Sequence, residues 1–249
     1  MNFLGIIPAR FGSTRLEGKP LADICGKPMI QHVYERAKSA METVYIATDD
    51  AKIVEAIDSF EGKSVLTSAE HNSGTNRCLE AYDKVRDIEE EEYDAIINIQ
   101  GDEPMLHIEH LKLLMSCFDN PGTEIASLIF KVNTQEDLFN KSEVFVTFDK
   151  NYNALYFSRA VIPELKDVEK QDWFGKMDFY KHIGLYAYTP DALELFASLP
   201  QSVLEIAEGL EQNRWLENGH SIKLALTDKE SFPVDTREDL EKIRTIMCK

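Results

Sequence analysis

The run Phe3-Leu4-Gly5-Ile6-Ile7-Pro8-Ala9 is apolar at every position and does not alternate. A strand of that kind has both faces covered, as in a parallel sheet packed between helices. Short β-branched runs recur at Thr43–Thr48, Ser64–Thr67 and Asp94–Ile99, with helical patterns between them. Pro28 suits a first helical turn, and Met29, Ile30, Val33, Ala37 and Met41 follow at helical spacing. Residues 50–58 and 75–87 read as two further helices. Strand, loop and helix in repeated order predict an α/β fold with a mostly parallel, doubly wound, Rossmann-like sheet. Such sheets bind ligands beyond the carboxyl ends of their strands, which singles out the loops at 8–20, 68–77 and 100–104.

From about residue 124 the pattern changes to longer extended stretches, Glu124–Val132, Val144–Phe148, Ala154–Phe157 and Tyr180–Thr189, with a turn signal at Asp149–Asn153. They predict a smaller antiparallel or mixed continuation. A helix is expected from Ser202 to Glu217, closed by Asn218-Gly219, then a strand at 221–226 and a last helix from Thr236. The run Glu89-Glu90-Glu91-Glu92 reads as a solvated connection. No repeat or low-complexity linker divides the 249 residues.

Charge narrows the function. Lys and Arg number 27 against 44 Asp and Glu, a net charge of −17, which disfavours a nucleic-acid or anionic-membrane binder because those need a basic footprint. An anionic small molecule then requires a locally basic site. Cys25, Cys78, Cys117 and Cys248 show no CxxC spacing and are expected to be reduced thiols in a cytoplasmic protein, with zinc disfavoured. The apolar start lacks a cationic flank and is too short for a signal peptide or a membrane span.

The locally basic site is found between Ile7 and Leu21, where Arg10, Arg15 and Lys19 stand with Gly12, Gly18, Ser13 and Thr14 in one strand-to-helix loop. Glycines admit backbone N–H groups to an anion, and Arg and Lys add charge-assisted hydrogen bonds, so the loop suits phosphates. It is neither a P-loop nor GxGxxG, and a surface loop with scattered cations remains the alternative. Asp102, in Gln100-Gly101-Asp102-Glu103-Pro104, follows a buried strand and is placed either to hold a divalent ion or to cap a helix. In Val234-Asp235-Thr236-Arg237-Glu238-Asp239, Thr236 and Asp239 form a capping-box pattern, which would leave Asp235 free for a second metal-ligand carboxylate.

Over almost its entire length the chain resembles the 3-deoxy-manno-octulosonate cytidylyltransferase (CMP-Kdo synthetase) family. The matching stretches are Ile6–Leu21 with Gly26–Ile30, Ala47-Thr48-Asp49, His71 with Ser73-Gly74-Thr75 and Arg77, and Asn98–Met105. Farther along are Ala154–Arg159, His182–Tyr186, Leu204-Glu205, Leu210-Glu211-Gln212 and Val234-Asp235-Thr236. The first loop alone marks only the broader sugar-acid cytidylyltransferases; together the stretches are specific for the Kdo branch.

The resemblance implies a nucleotidyltransferase in which the anomeric hydroxyl of Kdo attacks the α-phosphate of CTP, giving CMP-Kdo and pyrophosphate for lipopolysaccharide assembly. Arg10, Ser13, Arg15 and Lys19 match positions that cradle the triphosphate and stabilise the leaving group. Pro8, Ala9, Ser73, Gly74, Arg77 and Gln100 match those around cytosine and ribose, and Asp102 and Asp235 match the ligands of Mg2+. Arg159, His182, Tyr186, Glu211 and Gln212 match the sugar pocket. The resemblance further implies a homodimer and one nucleotidyltransferase domain: a CTP half over 1–123, a sugar and dimer lobe inserted at about 124–190, and a return to the main sheet over 191–249. Read without it, His182 and Tyr186 fit one face of a strand as core residues, Glu211 and Gln212 fit a solvated helix face, and Arg77 and Arg159 fit surface ion pairs. Another acidic sugar, 8-amino-Kdo or a nonulosonic acid, and a non-catalytic nucleotide-sugar sensor are the competing readings. Two positions depart from the family: Asn76 stands where an acid is common, and Glu17 where a proline is common.

Overall fold

The computed structural model describes residues 1–12, 16–71 and 73–248, in which strands and helices alternate as the apolar runs require. The amino-terminal elements are β1 (Phe3–Ala9), β2 (Asp23–Ile24), β3 (Lys27–Pro28), α1 (Met29–Ala40), β4 (Thr43–Thr48), α2 (Ala51–Asp58), β5 (Ser64–Leu66), α3 (Gly74–Glu89), β6 (Ala95–Asn98) and α4 (Ile108–Ser116). Next come β7 (Ile125–Lys131), α5 (Gln135–Leu138), β8 (Phe145–Phe148), β9 (Ala154–Ser158) and β10 (Tyr180–Tyr188). The chain ends with α6 (Pro190–Ser198), α7 (Val203–Glu208), α8 (Gln212–Glu217), β11 (Ile222–Thr227) and α9 (Arg237–Met247). Two compact units are formed, one from 1–112, 187–197 and 231–249, the other from 113–186 and 198–230.

In the first unit β1 is flanked by β4 and β6, with β5 outside β4, all parallel. Ile6 registers with Tyr45 on one side and Asn98 on the other. Successive connections leave β1 first toward β4 and later toward β6, so the strand order reverses at the β1–β6 seam, where doubly wound sheets open a ligand crevice. Ile6, Ile7, Ile46, Ile96 and Ile97 are fully buried, each contributing about 1.5–3 kcal/mol. The face of α1 carrying Met29, Ile30, Val33, Tyr34 and Ala37 closes the core.

In the second unit β7 pairs in parallel with β11, and β8 pairs antiparallel with both β9 and β10. The β8–β9 turn is held by Asp149, whose carboxylate accepts the backbone N–H groups of Asn151 and Asn153 at 2.8 Å each. Trp173 and Phe145 anchor a cluster with Val132, Leu138 and Phe179, and the Trp173 indole donates to the Val168 carbonyl at 2.9 Å. The mixed, mostly parallel α/β architecture expected from the sequence is therefore present. No helix among the described residues is long and apolar enough to cross a membrane.

Three expectations are corrected. The single helix over Ser202–Glu217 is two: Gly209 takes φ 63, a left-handed geometry that ends α7, and α8 restarts at Gln212. Glu89 is no solvated link, because it closes α3 and accepts from the Tyr45 hydroxyl and the Lys63 ammonium. The cysteines are not all reduced. Cys25 and Cys248 are disulfide-bonded across 223 positions, a pairing that sequence spacing cannot show because folding alone brings the β2–β3 turn to the end of α9. Cys78 and Cys117 are free and buried.

Closing so long a loop restricts the unfolded chain, worth about 2–4 kcal/mol in typical proteins. Scanning calorimetry of Cys248→Ser should give a melting temperature roughly 4–16 °C below that of the oxidised protein. Dithiothreitol should lower the wild type to the same value and leave the variant unchanged.

Candidate active site

β1 ends in Pro8-Ala9, and the loop after it begins with exposed Arg10. Ser13 and Arg15 lie outside the described residues. The loop returns through Gly18, whose N–H donates to the Phe11 carbonyl at 3.1 Å, and delivers Lys19. Beyond β6, Gly101 brings the chain against β1 so closely that a Cβ there would stand 2.9 Å from the Pro8 carbonyl oxygen. Only glycine permits that approach. Asp102 follows, and its carbonyl accepts the Val234 N–H at 2.9 Å, which aligns the segment carrying Asp235.

These contacts bring Lys19, Asp102 and Asp235 together. The Lys19 ammonium lies 2.7 Å from Asp102 and 3.3 Å from Asp235. Thr236 caps α9 in a complete box with Asp239, so the cap consumes the Asp239 carboxylate and not that of Asp235. Below lies an apolar cluster of Ile24, Met29, Val234, Leu240 and Ile243, with Leu16 and Met105 packed on it. One cluster thus fixes the segment before each of the three charged groups or just after it. Burial pushes the neighbouring Glu103 carboxyl up to about 7, opposed by a hydrogen bond with Ser231 and reinforced by the Asp102 charge.

The amino terminus of α3 reaches the ends of β1 and β6. A Cβ on Gly74 would stand 3.9 Å from both Asn98 Nδ2 and the Pro8 ring, so Pro8, Gly74 and Asn98 converge at the positive end of a 16-residue helix. Ser73 caps that helix by accepting the Asn76 N–H at 3.2 Å. Asn76 is therefore the third residue of the helix, where an acid would complete the capping box and favour the helix dipole; this departure concerns the helix end. Arg77 is buried and donates to Thr67 Oγ1 at 2.5 Å and to Asp49 at 2.7 Å, which makes it a tie between α3 and the loops after β4 and β5. Gln100 stands half-buried just before Gly101.

The expected sugar residues all fall in the second unit. Arg159, at the end of β9, donates from Nε to the Glu208 carbonyl at 2.8 Å and from its backbone N–H to the Glu208 carboxylate at 3.0 Å. The same carboxylate accepts the Ser158 hydroxyl at 2.7 Å and the Tyr156 hydroxyl at 3.1 Å. Glu211 and Gln212 follow at the α7–α8 break, with Gln212 buried. Asn213 fastens that corner to β9 by exchanging hydrogen bonds with the backbone of Phe157, and buried Arg214 clamps Glu205 of α7. His182 and Tyr186 share one face of β10 with ring centroids 5.2 Å apart, and burial pushes His182 down to about 3.

Sequence reasoning missed Glu208 and Ser127, since neither lies in a local pattern. Asp49 and Glu205 stood inside matching stretches but carried no assigned role; their partners, Arg77 and Arg214, come from elsewhere in the chain.

The loop before Ser73 is anchored by Glu80, which accepts from His71, from the Ser68 N–H at 2.8 Å and from Lys84 at 2.7 Å. Burial raises its pKa, but these three donors outweigh that and hold the carboxyl at about 2, against an ordinary 4.5. A depressed folded-state pKa gives stability that is present above 4.5 and is lost as pH falls toward 2. Denaturant midpoints should show a shallower acid decline in Glu80→Gln than in the wild type across that window; parallel declines would remove the anchor.

Comparison with known proteins agrees with the geometry. Residues 4–224 match the cytidylyltransferase family model. A 3-deoxy-manno-octulosonate cytidylyltransferase of Parabacteroides distasonis is 49% identical over 246 residues, covering 97% of this chain and 96% of that protein. An 8-amino-3,8-dideoxy-manno-octulosonate cytidylyltransferase of Shewanella piezotolerans is 45% identical, covering 96% of each. A solved CMP:2-keto-3-deoxy-manno-octonic acid synthetase complexed with CTP superposes with a TM-score of 0.89 at 39% identity, covering 100% of this chain and 99% of that one. A strand-order reversal at the β1–β6 seam, an ammonium between two carboxylates and near full-length similarity lead to one assignment: the chain belongs to the 3-deoxy-manno-octulosonate cytidylyltransferase family.

Proposed function

We propose that the protein transfers the cytidylyl group of CTP to Kdo, forming CMP-Kdo and pyrophosphate, for lipopolysaccharide biosynthesis. The observation that carries this reading is the Lys19 ammonium between Asp102 and Asp235 at the open end of the sheet. The anomeric hydroxyl oxygen forms a bond to the α-phosphorus as the bond to the pyrophosphate oxygen breaks, and the hydroxyl proton passes to solvent. Such a reaction needs placement and charge stabilisation more than covalent chemistry from the protein. Arg10, Ser13, Arg15 and Lys19 take the triphosphate and offset charge on the departing pyrophosphate. Pro8, Ala9, Ser73, Gly74 and Gln100 surround the nucleoside, with Arg77 keeping α3 in place.

The donors fit a small divalent ion. Two hard carboxylates already gather one cation, the Lys19 ammonium, and among the described residues no cluster of three or more His, Cys, Asp or Glu side chains could hold a metal. Two carboxylates completed by phosphate oxygens and water are what magnesium takes. Asp102 and Asp235 would hold Mg2+, which when bound neutralises phosphate charge. For the sugar, the Arg159 guanidinium suits the carboxylate, and His182, Tyr186, Glu211 and Gln212 suit its hydroxyls.

The reaction is assigned to the cytoplasm and the active form to a homodimer built through the 124–190 region, where Leu155 is 61% exposed on β9. A concentration-independent monomer mass in light scattering would remove the dimer. A second sugar is favoured by one observation: the Shewanella relative named for 8-amino-3,8-dideoxy-manno-octulosonate is nearly as similar as those named for Kdo.

Pyrophosphate release with CTP, Mg2+ and Kdo, beside 8-amino-Kdo, sialic acid and the other nucleoside triphosphates, tests the reading. Turnover confined to CTP and Kdo is the expected result; CTP binding with no release from any sugar would leave a nucleotide-sugar sensor. Asp102→Asn and Asp235→Asn should each lower kcat by roughly two to three orders of magnitude with CTP affinity largely kept, because several kcal/mol of charge stabilisation are lost. Wild-type turnover in both would end the metal assignment.

A further inference from the structure

Beside His182 the second unit buries a hydroxyl to which the proposed reaction gives no role. Ser127, on β7, has no exposed surface, and its Oγ lies 2.9 Å from His182 Nε2, 3.0 Å from the Leu185 carbonyl oxygen and 3.3 Å from that of Ile183. A serine hydroxyl has one proton, and carbonyl oxygens only accept. If that proton went to His182, the Oγ lone pairs would face two carbonyl oxygens at hydrogen-bonding distance with nothing between them. The proton therefore points to the carbonyls, and Oγ accepts from the ring.

We infer that Ser127 is a positioning residue, which holds His182 as the Nε2–H tautomer so that Nδ1 is left as a proton acceptor for a donor group of the acidic sugar. The inference rests on the assignment of His182 to the sugar pocket and adds what that pocket requires at this point. The ring has few other orientations: Phe157 meets it edge-on at 5.1 Å between centroids, and Tyr186 lies at 5.2 Å. His182 keeps part of its surface exposed, whereas Ser127 keeps none, so the Nε2 edge is the one turned inward. Burial, which drives the ring toward its neutral form, removes the alternative in which both nitrogens donate.

The consequence is chemical selection. An acceptor nitrogen takes a hydroxyl or an amine and repels a carboxylate. His182 then reads a hydroxyl-bearing part of the sugar and turns its acid end toward a cation, the role proposed for Arg159. A histidine free to switch tautomer would accept either orientation. Ser127 therefore acts on sugar binding and leaves the nucleotide untouched.

The test uses nitrogen-15-labelled histidine in the full-length protein, with the His182 signal among six histidines identified from its loss in His182→Asn. Wild type should show one neutral tautomer with the proton on Nε2. Ser127→Ala should show mixed tautomers, a KM for the sugar raised by roughly five- to tenfold through the lost hydrogen bond, and an unchanged KM for CTP. Ser127→Thr, which keeps the hydroxyl, should restore both readouts; melting curves show whether its extra methyl is accommodated. A proton on Nδ1 in the wild type, or a single Nε2–H signal retained in Ser127→Ala, would overturn the inference. So would an unchanged sugar KM in Ser127→Ala, or a joint rise in both KM values with a falling melting temperature, the mark of a merely structural role. Absence of turnover with Kdo in the wild type would fail the proposed function instead, and the imidazole spectra would still decide the tautomer.

Discussion

Asp102 and Asp235 are gathered on one cation, the Lys19 ammonium, in a protein of net charge −17. At about 4 Å and an effective dielectric near 20, two like charges repel by about 4 kcal/mol. The Lys19 ammonium offsets that repulsion, and its own placement depends on the apolar cluster of Ile24, Met29, Val234, Leu240 and Ile243. Leu16 and Met105 pack on the same cluster, so the loop after β1, the loop after β6 and the entry to α9 share one support. The charged end of the sheet therefore follows from hydrophobic packing beneath it, and the disulfide from Cys25 to Cys248 fastens the margin of that packing, since Ile24 and Met247 flank the two sulfurs.

What could be read from the sequence was local. A strand apolar at every position and Thr236 three residues before Asp239 each act within a few residues, and each appears in the structure as expected. The strand at Thr43–Thr48 even keeps its boundaries, because all six of its residues are buried and the flanks are not apolar. The family motifs extended this reading across the chain and named residues that the local patterns left open between core and site.

What could not be read depends on distant partners. Helical spacing from Ser202 to Glu217 is real on both sides of Gly209, and only the left-handed turn there separates α7 from α8. Glu208 looks like one more surface acid until β9 lies beside it and supplies Tyr156, Ser158 and Arg159 as donors. Ser127 is a small residue in a buried strand, and its role emerges only when His182 stands across from it. The cysteine pair is the extreme case, with its partners at opposite ends of the chain.

The acid-rich composition and the anionic substrate of the proposed reaction are reconciled by the way the carboxylates near the candidate residues are used. Asp49 is bound by Arg77, Glu80 by His71 and Lys84, Glu205 by Arg214, and Glu208 by the donors at the end of β9. Asp49, Glu80 and Glu205 are paired with cations where they stand, and Glu208 is satisfied by hydroxyl and backbone N–H donors, in partly buried settings that salt screens weakly. The bulk excess of negative charge on the exposed surface is screened within about 8–10 Å in physiological salt, so only charges inside that distance act on a bound ligand. Lys19 offsets only one of the two carboxylates beside it, so in the proposed reaction the positive charge facing a triphosphate would come from Arg10 and from a divalent ion on Asp102 and Asp235. A chain can thus remain acidic enough to avoid nucleic acids and anionic membranes while holding a binding site for a nucleotide.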